Sequence, residues 1–161
     1  MNLDFDGLYR FHGHKCPMST MGARLANAAM NALGVGKGDQ FLIQAEYGIK
    51  NCALDGIQFV TGCTLGNGNI ACSETGKPML LLGMRDGSRK AVVNVSAGAL
   101  AKLSAHKDMK AGMLKEREIS GLARAKEIDG IIERDFLALV GWVQDVPDGE
   151  LLEVTVFGRE R

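Results

Sequence analysis

Phe11 to Pro17 read FHGHKCP, which places His12, His14 and Cys16 within five residues. Imidazole and thiolate are the donors that suit zinc, or another late divalent metal such as nickel or iron. In an extended segment side chains alternate, so His12, His14 and Cys16 would line one face. Pro17 fits the first turn of a helix, which puts Cys16 at or beside the N-cap. There the helix dipole and free amide N–H groups favour an anionic sulfur. Such a sulfur serves a metal or attacks as a nucleophile. The bland reading is a turn with hydrogen-bonded imidazoles and a buried thiol.

A second stretch, NCALDGIQFVTGCTLGNGN from Asn51 to Asn69, carries Cys52, Asp55, Gln58, Thr61, Cys63 and Asn69. Cys52 and Asp55 are three residues apart and share a helix face, so both could look into one cleft. Asp55 would act there as a base or orient a ligand histidine. The glycines of GCTLGNGN permit close backbone approach to a ligand, or serve a tight turn. No Walker lysine–serine pair is present, which disfavours a nucleotide-phosphate loop. Cys52 and Cys63 stand about three helical turns apart, roughly 15 Å if the helix is regular, so one ion would take one of them.

Three functions fit these residues. The first is a metal site of His14, Cys16 and a sulfur from Cys63 or Cys52, with a position left open for water or substrate. His12 ranks behind His14, because an i, i+2 pair needs only one imidazole at the ion. The second is thiol redox chemistry, with Cys16 attacking and Cys63 resolving. The third is an accessory subunit or metal carrier without catalysis. Cys72, inside an apolar run, reads as a structural thiol, and His106, among Lys107, Asp108 and Lys110, as a solvated loop residue.

The elements that must position these groups are legible in part. A helix runs from Pro17 to Gly34, with Met21, Leu25, Ala28, Ala29, Ala32 and Leu33 at helical spacing. Gln40 to Gly48 alternates like a strand. Asn51 caps a second helix ending near Thr61. Ile70 to Cys72, Met79 to Met84 and Ala91 to Val95, separated by turn-rich SETGKP and RDGSRK, suggest an antiparallel meander. Helix is expected from Ala97 to Leu103, a charged connection over Ala105 to Lys115, a long helix over Ser120 to Val143, and a final strand in ELLEVTVFG. The sum is one α+β domain over residues 1–161 with about five strands.

Bulk properties exclude several classes. Nineteen basic and nineteen acidic side chains give a net charge of +0, so nothing draws the chain to nucleic acid or anionic lipid. The beginning, MNLDFDGLYR, has no signal-peptide pattern and no apolar run has membrane-span length, which points to the cytoplasm. No CxxC pair occurs, arguing against a zinc ribbon and a thioredoxin-type dithiol. Ile131, Phe136, Leu139 and Trp142 make more apolar surface than a small monomer hides, so a homodimer is expected.

FHGHKCP, an Ala-rich helix with Gly22, then CALDGIQFVTGCTLGNGN and GKP before a strand, together resemble the core domain of the FmdE family of formylmethanofuran dehydrogenase proteins, over roughly Phe11 to Leu103. The resemblance implies a thioredoxin-like core with a mixed five-stranded sheet flanked by helices, and a site able to hold zinc. It places the family's first motif on His12, Gly13, His14, Cys16 and Pro17. The second falls on Cys52, Asp55, Gln58, Thr61, Gly62, Cys63, Thr64, Gly66, Gly68 and Asn69. Thr61, Gly66, Gly68 and Asn69 would then meet a cofactor, and the motif context favours Cys63 over Cys52 as the partner of Cys16. It also implies an association with a molybdenum or tungsten enzyme of one-carbon metabolism and methanogenesis. Met18 stands where members usually carry glycine, Asn67 where they often carry lysine, and no C-terminal zinc finger follows.

Overall fold

The FHGHKCP segment is not extended. In the computed structural model, which describes residues 2–158, Phe5–His12 form a helix, α1. The Asp4 carboxylate accepts the Gly7 amide at 2.8 Å, and Gly13, at φ 95°, ends the helix. Glycine takes that left-handed conformation without strain. Phe5, Leu8, Tyr9 and His12 recur at helical period, the signal the strand reading passed over. A turn therefore separates His12 from His14, and their rings stand 4.6 Å apart.

Cys16 is extended and Pro17 opens α2 (Pro17–Leu33), which Gly34 closes at φ 71°. This is the ordinary proline-first, glycine-last pattern of helix ends. Helix α2 is enclosed on nearly every side, and its alanines and glycine let neighbours come close.

A β1 (Ile43–Tyr47), α3 (Ala53–Thr61), β2 (Ile70–Cys72) unit follows. The expected meander is corrected here. β2 does not lie beside β3 (Met79–Met84) but pairs in parallel with β1, and the sheet order is β2-β1-β3-β4-β5. A parallel pair needs a long crossover, and α3 supplies it. β3 and β4 (Arg89–Val95) do form the hairpin expected. Registers align Ile70, Ala45, Leu82, Ala91 and Val156 in one row across the sheet. β1 buries Ile43, Ala45 and Tyr47 and exposes Gln44 and Glu46, the alternation of a sheet packed on one face. That face lies against α2, which touches β3, β4 and β5.

The charged stretch from Ala105 to Lys115 is helical, not a connection. It belongs to α4 (Ala97–Ile119), whose N-cap Ser96 accepts the Ala99 amide. Its alanines, lysines, leucine and methionines are strong helix formers. Helix α5 (Leu122–Asp145) folds back along it, with Arg117 bonded to Asp129 and Arg124 to Glu116 near the turn. Lys102 sits over the Trp142 ring at 4.2 Å near the base of this hairpin. A short α6 (Asp148–Leu151) leads into β5 (Leu152–Gly158), antiparallel to β4. The whole is an α+β fold with a mixed five-stranded sheet. No described helix is long and apolar enough to cross a membrane.

Candidate metal centre

Helices α2 and α3 meet at glycines. A Cβ on Gly22 would lie 2.0 Å from the Ala53 carbonyl oxygen, and one on Gly56 would lie 2.0 Å from that of Ser19. Backbone touches backbone, which only glycine permits. Both contacts fall near the helix starts, so they draw the two N-cap residues together. Those residues are Cys16 and Cys52, and neither gives its helix a side-chain capping bond.

His12, the last residue of α1, completes the group. One of its ring nitrogens, the Cys16 sulfur and the Cys52 sulfur all lie within 4.8 Å of one another. Donors bound tetrahedrally to zinc at about 2.3 Å would sit about 3.8 Å apart, so a contraction of an ångström or less fits this trio to an ion. The imidazole is already aimed. Its Nδ1 bonds Asp55 Oδ2 at 2.7 Å, while Nε2 is buried without a hydrogen-bond partner. When Nδ1 carries the proton to the carboxylate, Nε2 presents its lone pair to the sulfurs. Burial, and next the adjoining Cys16 sulfur, push the Cys52 thiol up. Two sulfurs this close resist ionising together, and a cation between them reverses that preference.

A second layer holds Cys16. Its carbonyl accepts from Thr20 Oγ1 at 2.7 Å and Ser19 Oγ at 3.1 Å. With its proton so used, Thr20 accepts from the Tyr9 hydroxyl at 2.8 Å, which accepts from Gln144 Nε2 at 3.1 Å. Arg24, 8% exposed, donates to the carbonyls of Val143, Gln144 and Val146 and to Asp148. It ties α2 to the end of α5 by satisfying carbonyls that a helix terminus leaves open.

The profile of a family described as "FmdE, Molybdenum formylmethanofuran dehydrogenase operon" matches residues 11–153. The chain belongs to the FmdE family. It is 37% identical over 98 residues to a probable S-adenosyl-L-methionine-binding protein of Archaeoglobus fulgidus. That match takes in 57% of this chain and spans about a quarter (26%) of the relative's length. Among solved structures it resembles an FmdE-like protein of tungsten formylmethanofuran dehydrogenase from Syntrophus aciditrophicus. The TM-score is 0.55 at 19% identity, over 96% of this chain and 70% of that one. At that identity the likeness is one of fold.

The other residues of the two FmdE motifs fall outside the trio. His14 is exposed beside the His12 ring. Cys63 is fully buried at the far end of α3, its sulfur 3.9 Å from the Ile43 carbonyl oxygen, and burial pushes its thiol up. Of the two sulfurs separated by α3, the fold brings Cys52, not Cys63, to Cys16. The glycine-rich loop is closed on itself. Thr61 Oγ1 donates to the Ile57 carbonyl and accepts the Cys63 amide. Asn67 Oδ1 accepts the amides of Thr64 and Asn69, and Gln58 Oε1 accepts that of Leu65. The Gly68 amide bonds the Leu65 carbonyl. Asn69 is buried, bonded to the Gln40 carbonyl and to Arg85. With these amides engaged, the glycines serve the turn, Gly62 and Gly68 at φ 70° and 69°. Cys72 lies half-buried opposite Tyr47 on β2, and His106 half-buried on α4.

The residues that sequence reasoning missed are structural supports. Gly22 and Gly56 were visible as glycines inside helices, where close packing is the usual reason for their cost. Arg24 was visible as a lone cation in an apolar helix.

Proposed function

We propose that this FmdE-family protein binds a divalent metal, zinc foremost, through His12, Cys16 and Cys52. His14 or water would fill the fourth position. The observation that carries the reading is the His12 imidazole, fixed by Asp55 on one nitrogen and buried and unpartnered on the other beside two sulfurs. An ion held by three protein ligands would supply Lewis acidity at its open position. Asp55, bound to His12, acts as the group that orients the ligand. A cavity of about 530 Å³ begins at Pro17 and Met18, next in the chain to Cys16, and gives a small molecule room beside the site.

The family description and the structural relative support a role beside a molybdenum or tungsten formylmethanofuran dehydrogenase in one-carbon metabolism, including methanogenesis. The four cysteines are free, which suits a reducing cytoplasm. Ile119 and Leu122, 88% and 75% exposed at the turn between α4 and α5, favour a homodimer that covers them. Metal analysis of protein purified without chelator tests the site. The expected result is about one ion per chain in the wild type, retained in Cys63→Ser and lost in Cys16→Ser and Cys52→Ser. Retention in Cys52→Ser with loss in Cys63→Ser would refute the ligand set.

A further inference from the structure

We propose that Cys16 and Cys52 close to a reversible disulfide when the site is metal-free, and that this closure expels the ion. The release of the ion rests on the metal reading above, but the pairing of the sulfurs does not.

The argument is one of juxtaposition. Disulfide formation requires two sulfurs held near each other on elements that tolerate a small approach. The sulfurs of Cys16 and Cys52 already lie within 4.8 Å, far closer than the sequence separation would produce by chance. Both residues occupy N-cap positions outside the regular turns, so their side chains can rotate without breaking a helical hydrogen bond. Neither sulfur is committed to a cap. Cys52 is half-exposed while Cys16 is 5% exposed, which divides the roles: an oxidant reaches Cys52, and Cys16 resolves.

The chemistry balances with a hydroperoxide as oxidant. The Cys52 thiolate attacks the peroxide, the O–O bond breaks, and a sulfenic acid and hydroxide form. The Cys16 thiolate then attacks the Cys52 sulfur, the S–O bond breaks, and hydroxide leaves as the S–S bond forms. The two sulfurs lose two electrons and the peroxide gains them. An ion at the site would lose both thiolate donors at once and keep only His12. An external dithiol reverses the change by exchange. The other two cysteines take no part, since Cys63 is sealed in the core and Cys72 lies on β2.

The test is hydrogen peroxide titration of metal-free and zinc-loaded protein, followed by thiol counting and peptide mapping under non-reducing conditions. The expected product is lighter by two hydrogens, retains two of its four free thiols, links Cys16 to Cys52 and reverts with dithiothreitol. Cys63→Ser and Cys72→Ser should still form the link. Cys52→Ser, whose serine is a good N-cap, should not. In the zinc-loaded sample a chromophoric chelator should register release of the ion in step with thiol loss. A link between any other pair, or stable sulfinic acid at Cys52 without a link, overturns the proposal. If the link forms but zinc never binds, the disulfide stands and the metal reading falls. If zinc binds at the predicted ligands but no link forms with or without it, the reverse holds.

Discussion

Replacing Gly22 with alanine tests whether the glycine contact between α2 and α3 assembles the site. The new methyl carbon would lie 2.0 Å from the Ala53 carbonyl oxygen, and 2.7 Å from its carbon. The closest comfortable carbon–oxygen approach is about 3.4 Å, so the helices must part by about 1.4 Å, and α2 is too enclosed to retreat. Forcing a methyl into a packed interface costs typically about 1–3 kcal/mol or more, while alanine returns about 1 kcal/mol of helix propensity. With an overlap this severe we expect a net loss of about 2 kcal/mol, which for a domain of this size lowers Tm by roughly 4–8 °C. Because the contact lies near both N-caps, the same separation draws Cys52 from Cys16. Zinc affinity should then fall about 10–100-fold, as when supports of metal ligands are altered. Urea melts and competition with a chromophoric chelator measure the two effects. Gly83→Ala is the control, since its Cβ would meet nothing nearer than 3.9 Å. A Gly22→Ala protein within about 0.5 kcal/mol of the wild type and with unchanged zinc affinity would refute the packing argument.

Two further outcomes are expected. Asp55→Asn should weaken zinc binding about 10–100-fold with little change in stability, because the 2.7 Å bond that fixes His12 loses its charge; equal affinity by chelator competition would remove Asp55 from its orienting role. Burial pushes the Tyr47 phenol up to about 12 from 10.0, so its contribution is present below pH 10 and lost as pH rises from there through about 12. This amounts to about 3 kcal/mol, and Tyr47→Phe should flatten that part of the pH–stability curve measured by denaturant melts.

The parts of this fold legible in the sequence are those whose signal is local. Pro17 and Gly34 bracket α2 because each acts on its own φ, and Met79–Met84 with Arg89–Val95 form a hairpin because the turn residues between them specify one. The site residues Cys16, Cys52, Asp55 and His12 were visible as chemistry. What was not visible is what depends on contacts between distant segments. Parallel pairing of β2 with β1 is set by the crossover of α3, which no residue of β2 announces. The choice of Cys52 over Cys63 is set by Gly22 meeting Ala53, a contact between two helices. The seven-residue run from Ala105 through Ala111 looked like a charged loop because its apolar stripe is narrow, and α5 had to be placed before that stripe had anything to face. Helix α1 is a different case, since its period and its Asp4 cap were both present and the HxH pattern drew attention away from them.

Arg24 carries a consequence for how the chain is made. During translation residue 24 leaves the ribosome long before Val143, Val146 and Asp148, whose oxygens are its partners in the finished fold. Until then the guanidinium cannot be buried without a severe desolvation penalty, and β4 waits likewise for β5. The early half of the molecule, including all the proposed ligands, is therefore held open through most of synthesis. Domains commonly fold from the N-terminal side as they emerge, but here α2 cannot settle into its final place until residue 148 is free. An ion would meet a finished pocket only after the polypeptide has passed that point.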